Sequence, residues 1–403
     1  ELIGNANGCS EGENFTYLRT WTATDGCGNS ATAQQVFLVN ASNTPSANIE
    51  GVIATEMGDG VEDVEVQLDG AAAGFVDWSV TGDDGQYLFE GLPVGNNYTI
   101  APGSNEDLLN GVSTYDLVIM SYHVLGLQNL DSPYKMIAAD VNRSGTITTL
   151  DMVELRKLIL FLDDELTNNT SWRFVAADFV FPDVTNPFLT VFPEVRNING
   201  LMENEQHDFI GVKIGDVNGS AIANSLVGGE DRADAGQLYF DVADQRLEKG
   251  AVYEVSFAAS DFNEMLGFQF ALNFDASQLE WLDVKADQLP GMSSTNFGFS
   301  LLEEGVITAS WNHTSPVSRM DGTDLFTFTF KAKADTRLQD CLNFAAPIFA
   351  EAYSKDDSRG VHLNNLAIRF NDDMSQMNEL ALFQNQPNPF VDKTTIGFFL
   401  PEA

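Results

Sequence analysis

The oxygen-bearing side chains with the most telling spacing lie in Asp140-Val-Asn142-Arg-Ser144-Gly145-Thr146-Ile147-Thr-Thr-Leu-Asp151. Counted from Asp140, oxygen side chains fall at positions 1, 3, 5 and 12, with Gly145 at 6 and the Thr146 backbone carbonyl at 7. A loop with this spacing can fold around a hard cation, because carboxylate and amide oxygens turn inward and the glycine permits the sharp bend. An all-oxygen donor set suits Ca2+ better than transition metals. Ile147, at position 8, is the apolar residue that would pin the loop to a partner. The alternative is an Asx-rich turn that caps the following helix without metal.

Two further segments carry halves of the same pattern. Gly111-Val-Ser-Thr-Tyr-Asp116 matches the second half, but counting back puts Asn105, Asp107 and Leu109 at positions 1, 3 and 5, and Leu109 has no oxygen to offer. Asp216-Val-Asn218-Gly-Ser220 reproduces positions 1, 3 and 5 and then stops. Either the two halves form one split site, with Asp216, Asn218, Ser220 and Asp116 as ligands, or a vestigial loop stands beside a plain turn.

Catalytic patterns are missing. His123, His207, His313 and His362 are scattered, with no HExxH or H-x-H pairing. No nucleophile elbow, phosphate loop or dinucleotide glycine pattern appears. The pairs Asp83/Asp84 and Asp163/Asp164 fall where turns or helix ends are expected, and solvation explains them. With 59 acidic and 20 basic residues the formal charge is −39, which repels nucleic acid and favours divalent cations. No apolar run approaches the ~20 residues needed to span a bilayer. Cys9 and Cys27 share the N-terminal segment and are expected to form a local disulfide, leaving Cys341 as a buried free thiol; the alternative is three free thiols. The sequence carries no signal peptide and opens mid-pattern at Glu1, as expected of a piece of a longer processed protein.

The elements that must position these residues are mostly strands. Thr16–Asp25 and Ala31–Val39 flank a Gly26-Cys-Gly-Asn29 turn and read as a hairpin. Its "RTWTATDGCGN" wording resembles the closing half of HYR modules, which implies an immunoglobulin-like end at 1–40. After a polar linker, Val64, Val66 and Leu68 alternate with polar residues, the period of a half-buried strand. The stretch Thr81-Gly-Asp-Asp-Gly-Gln-Tyr-Leu-Phe-Glu-Gly-Leu-Pro93 resembles Cna-B and carboxypeptidase-regulatory-like sandwiches and implies a spacer fold at 49–103.

The period becomes helical at Asp116–Leu125 and again at Met152–Leu162, followed by an irregular Phe/Pro-rich stretch. Asp at position 12, leading directly into a helix, resembles dockerin modules, implying a two-helix calcium module with extension at 104–220. Dockerins carry two such loops. They contact cohesin through residues that correspond here to Thr149, Leu150, Arg156 and Lys157; a solvated helix face is the competing role for the two basic residues.

Strand patterns return at Tyr253/Val255/Phe257, Phe268/Phe270/Leu272/Phe274, Val306–Trp311 and Phe326/Phe328/Phe330. They predict a β-sandwich over 237–370. Leu266-Gly-Phe-Gln-Phe-Ala-Leu-Asn-Phe-Asp275 followed by Leu279 resembles cohesin-like modules. The tail Leu382-Phe-Gln-Asn-Gln-Pro-Asn-Pro-Phe390 with Thr394-Thr-Ile-Gly-Phe-Phe-Leu-Pro-Glu402 resembles the start of a type IX secretion sorting domain at 380–403. That resemblance implies export to the extracellular space or cell surface of a Gram-negative bacterium.

The expected fold is therefore mainly β: tandem immunoglobulin-like and cohesin-like β-sandwiches with a small dockerin-like module binding Ca2+. The expected role is non-enzymatic, a structural or adhesive module string. Its expected partners are other protein modules, including copies of itself paired head to tail or by strand donation into a filament, and surface glycans. The alternative is the accessory C-terminal region of a secreted hydrolase whose catalytic domain lies upstream.

Overall fold

The computed structural model describes residues 2–3, 15–39, 45–70, 75–226, 235–356, 360–372, 381–382 and 398–399. The fold is mainly β, as expected, with three α-helices among the described residues. The expected hairpin is present as β1 (Phe15–Thr24) and β2 (Ser30–Val39), and side chains 19–35 are exposed on both faces. At its turn the Asp25 carboxylate accepts from the Cys27 and Asn29 amides, both at 2.9 Å. Cys27 is an exposed free thiol and Cys9 lies outside the described residues, so the expected bridge has no counterpart among them. Cys341 is a buried free thiol. Most of the tail 380–403 also lies outside the described residues.

The first sandwich begins with β3 (Ser46–Ala54), β4 (Glu65–Gly70), β5 (Phe75–Val80), β6 (Gln86–Pro93) and β7 (Tyr98–Gly103). It does not end there. β8 (Trp172–Ala176), β9 (Arg196–Ile198), β10 (Glu205–Gln206) and β11 (Phe209–Lys213) complete it. One sheet runs β9-β7-β4-β5; the other runs β10-β3-β11-β8, with β6 also on β3. The expected boundary at 103/104 is therefore crossed by both sheets, and the segment expected to be irregular supplies four strands. Ile49, Val66, Leu68, Phe89, Ile100, Phe174 and Phe209 share the core between the sheets.

The helical segment is inserted between β7 and β8. It holds α1 (Thr114–Val124), α2 (Pro133–Ala139) and α3 (Thr149–Ile159), one helix more than expected. Leu117, Met120, Ile137, Leu155 and Leu158 pack with Val175 and Val212, so the helices sit on the sheet made by β8 and β11.

The second sandwich comprises β12 (Gly236–Asp244), β13 (Val252–Ser260), β14 (Met265–Phe274), β15 (Leu279–Lys285), β16 (Phe297–Gly298), β17 (Val306–Val317), β18 (Asp324–Ala332), β19 (Glu351–Asp356) and β20 (Gly360–Asp372). Its strand order is β15-β18-β13-β12-β20-β19-β14-β17-β16. β12 and β20 pair in parallel and the other neighbouring strands pair antiparallel. Its interior is built from phenylalanine. Phe240, Phe257, Phe268, Phe270, Phe326 and Phe328 are fully buried, with Phe257 stacked on Phe326 at 4.8 Å and Phe270 on Phe344 at 4.6 Å. Such pairs add to the stabilisation from area burial alone.

Candidate metal loops and a docked module interface

The Asp140–Asp151 loop closes on itself through its own oxygens. Asp140 Oδ1 accepts from the Ser144 amide at 2.8 Å and Oδ2 from the Gly145 amide at 2.9 Å, while Asn142 Oδ1 accepts from Ser144 at 3.0 Å. The Ser144 hydroxyl donates to the Thr146 carbonyl at 3.1 Å. Asp151 caps α3: its Oδ2 accepts from the Thr148 amide at 2.8 Å while the Thr148 hydroxyl accepts from Leu150, the reciprocal arrangement of a capping box. Its Oδ1 reaches back across the loop to the Asn142 amide at 3.2 Å.

The second site is assembled from segments a hundred residues apart. Asp216 Oδ1 accepts from Ser220 at 3.1 Å and Oδ2 from Ala221 at 2.8 Å, and Asn218 Oδ1 accepts from Ser220 at 2.9 Å. These bonds reproduce the 1-to-5, 1-to-6 and 3-to-5 bonds of the first loop. Position 4 is left-handed in both, at Arg143 (φ 55°) and Gly219 (φ 79°). The chain then leaves, and the second half comes from 111–116. The Ser220 hydroxyl donates to the Gly111 carbonyl at 3.0 Å, as Ser144 does to Thr146. Asp116 Oδ2 accepts from the Ser113 amide at 2.8 Å, as Asp151 does from Thr148, and Oδ1 accepts from the Val217 amide at 2.9 Å, one loop position before the equivalent of Asn142 in the first loop. The two halves touch so closely at the join that a Cβ on Gly111 would lie 2.4 Å from the Ala221 nitrogen. Asp216, Asn218, Ser220 and Asp116 are thus brought together.

Asp116, Asp140, Asp151 and Asp216 are all buried, and among the described residues none makes a salt bridge. Burial, then the charge of Asp216, holds the Asp116 carboxyl well above the usual carboxylate range. Burial also raises Asp140 and Asp216. Buried Lys213 is pushed down to about 8 by desolvation, against the pull of Asp216, Asp107 and Asp116. Each loop therefore confines two carboxylates, backed by amide, hydroxyl and carbonyl oxygens, in a place where uncompensated negative charge is costly. That donor set fits a divalent hard cation. Among the described residues no three His, Cys, Asp or Glu side chains converge, so the rest of either shell would come from Asn, Ser and backbone oxygens.

The four residues expected to meet a partner separate. Thr149, Leu150 and Lys157 are exposed, whereas Arg156 donates to Asn312 Oδ1 of the second sandwich. That contact is part of a wider interface. The Thr114 amide donates to Gln269 Oε1 at 2.6 Å, and its hydroxyl shares a 2.7 Å bond with the Ser310 hydroxyl. Asn312 Nδ2 donates to the Ser121 hydroxyl at 3.1 Å, and the Thr308 hydroxyl donates to the Leu160 carbonyl at 2.8 Å. Tyr115 stacks on Tyr353 with ring centres 5.4 Å apart. The outer faces of β14, β17 and β19 are thereby covered by α1 and the end of α3. Gly298 makes the approach possible, since a Cβ there would lie 2.1 Å from the Leu160 carbonyl oxygen.

The cohesin domain family matches residues 242–357, within this second sandwich. Three solved structures are similar over the same share of the chain. The seventh ScaB type I cohesin of Pseudobacteroides cellulosolvens is 19% identical and covers 34% of this chain and 95% of its own, with a TM-score of 0.24. The Coh-OlpA–Doc918 complex of Clostridium thermocellum is 13% identical, covering 34% and 100%, with a TM-score of 0.24. A non-cellulosomal cohesin of Archaeoglobus fulgidus is 12% identical, covering 33% and 92%, with a TM-score of 0.22. No curated protein matches the chain. A cohesin domain is a non-catalytic protein–protein interaction module, which fits a structural or adhesive assembly role. No helix among the described residues is long and apolar enough to cross a membrane.

Proposed function

We propose that residues 45–372 are a calcium-stabilised, non-enzymatic assembly segment of a secreted bacterial surface protein. The dockerin-like helical module binds two calcium ions, one in Asp140–Asp151 and one in the split loop of Asp216, Asn218, Ser220 and Asp116. It docks on the cohesin domain of its own chain. The observation that carries this reading is the closely similar hydrogen-bond pattern of the two loops around buried carboxylates that, among the described residues, make no salt bridge. The HYR-like, Cna-B-like and sorting-domain resemblances support a place at the cell surface, with the docked pair as a stiff link in a module string.

Asp140, Asn142, Ser144, the Thr146 carbonyl and Asp151 would hold the first ion; Asp216, Asn218, Ser220, the Gly111 carbonyl and Asp116 the second. Bound calcium neutralises the paired carboxylates and ties each loop to the helix that follows it. Calorimetric titration tests this directly. The wild type is expected to bind two calcium ions, and Asp140→Ala and Asp216→Ala one each. An unchanged stoichiometry in Asp216→Ala removes the split site, and wild type that binds none removes the reading.

A further inference from the structure

We propose that the outer face of the β9-β7-β4-β5 sheet is a binding platform for a neutral saccharide, with Trp78 as its stacking ring and Gln67, Asp69, Thr99 and Asn197 as its hydrogen-bonding row. The inference is independent of the calcium reading. Strand β5 is patterned in reverse for the edge of a sandwich. Val66, Leu68, Tyr98 and Ile100 fill the core, and the register sets Asp77 of β5 on their side, opposite Leu68. Val76, Trp78 and Val80 therefore point away from the core, opposite Asp69, Gln67 and Glu65, and are 49%, 56% and 56% exposed. Edge strands are ordinarily guarded by charge, and a contiguous exposed apolar stripe marks a surface that something covers.

The neighbouring strands supply the complementary chemistry. Gln67 Nε2 donates to both Asp69 oxygens, at 2.9 and 3.1 Å, and the Thr99 hydroxyl donates to Asn197 Oδ1 at 2.9 Å. These bonds hold the side chains in place, and carboxylate and amide groups keep hydrogen-bonding capacity beyond them. Ala101 and Gly103, opposite Gln67 and Glu65, keep the face low beside the polar row. A pyranose ring has the same two-sided character: its C–H groups pack on the negative face of an indole, while its hydroxyls pair with amides, carboxylates and hydroxyls. From Trp78 to Asn197 the face crosses three strand spacings, roughly 14 Å, the span of a short oligosaccharide. Charge selects among sugars. Among the described residues no Lys or Arg falls on this face, since Arg196 lies opposite Ile100 on the core side. Glu65 and Asp69 make the face negative, which turns away uronate and sulfate polymers and leaves uncharged ones. A protein contact is the weaker fit, because its hot spots favour enclosed, desolvated pockets over an open and half-polar sheet.

The test uses the full chain, labelled and applied to an array of neutral, uronate-bearing and sulfated glycans. Binding to neutral glycans and not to the charged ones is expected. Trp78→Ala is expected to weaken that binding about tenfold or more, Trp78→Phe to retain part of it, and Asn197→Ala to weaken it a few-fold. Both positions are exposed, so each variant is expected to keep the urea midpoint of the wild type, which separates loss of the platform from loss of the fold. A chain that binds no neutral glycan overturns the proposal, as does equal binding by Trp78→Ala or a preference for the acidic glycans. A dimer in light scattering that depends on Trp78, with no glycan bound, also overturns it and gives the stripe to a protein contact.

Discussion

Gly298→Ala probes the docked interface by a single methyl group. The added carbon would sit 2.1 Å from the Leu160 carbonyl oxygen and 2.3 Å from the Thr308 hydroxyl. Carbon and oxygen approach no closer than about 3.3 Å in ordinary contact. The end of α3 must therefore retreat by roughly 1.2 Å, which breaks the Thr308–Leu160 bond and the neighbouring Ser300–Phe161 bond. At ~0.5–1.5 kcal/mol each, the loss is about 1–3 kcal/mol. In the cohesin domain alone the cost shrinks. The Leu160 clash is absent, only the Thr308 hydroxyl must turn aside once its Leu160 partner is gone, and replacing glycine reduces the freedom of the unfolded chain, a gain of ~0.4–1 kcal/mol. Urea unfolding of residues 45–372 and of 235–372, each with and without the substitution, reads both numbers. An equal cost in the two fragments would refute the reasoning, because the clash would then lie inside the sandwich.

Further outcomes follow from burial and charge. Asp116 carries a carboxyl whose folded value lies above its unfolded one, so the folded chain without calcium holds the extra proton between the two. Stability of the chelated chain therefore falls as pH rises from the ordinary carboxylate range toward neutrality, and calcium flattens that slope. Urea midpoints measured below about pH 7, under the window in which Lys213 titrates, check this; equal slopes with and without calcium would contradict it. Cys341 is 4% exposed and desolvation raises its thiol, so an aromatic disulfide reagent is expected to modify it only as fast as the domain unfolds. Reaction at the rate of exposed Cys27 would place Cys341 elsewhere. Phe326→Ala removes a fully buried ring that touches Phe257 and Phe270 and is expected to cost about 3–5 kcal/mol in a denaturant titration.

The second sandwich is written in its strands, because Phe268, Phe270 and Leu272 alternate with the period that puts one face inside. The same alternation misleads at β17. Thr308 and Ser310 alternate with Ile307, Ala309 and Trp311, yet both are buried as well, since period tells which residues share a face and not what lies over it. Trp172–Ala176 escaped notice for the opposite reason: all five residues are buried, so nothing alternates, and its strand partners are distant in sequence or follow it. α2 left a readable signal, Ser132 as N-cap before Pro133, although seven residues are too few for a clear periodic face. The Asp140–Asp151 candidate loop is contiguous and therefore legible whole. The split loop could be suspected only because Asp216-Val-Asn218 repeats Asp140-Val-Asn142, and its closure by Asp116 needed the fold to bring the halves together.

The parallel pairing of β12 with β20 has a mechanical meaning. Gly236 faces Asn364 and Asp244 faces Asp372, in register over nine residues, so the chain enters the domain at one end of the ladder and leaves at the other. Tension along the chain pulls these strands in opposite directions along their length. The load falls in shear on all the cross-strand bonds of a ladder about 30 Å long, instead of opening them one at a time as a zipper would. Antiparallel end strands would have placed entry and exit at the same end and peeled apart. A domain pulled by its two ends is loaded in this way, and the parallel pairing makes the cross-strand bonds share the load and yield together.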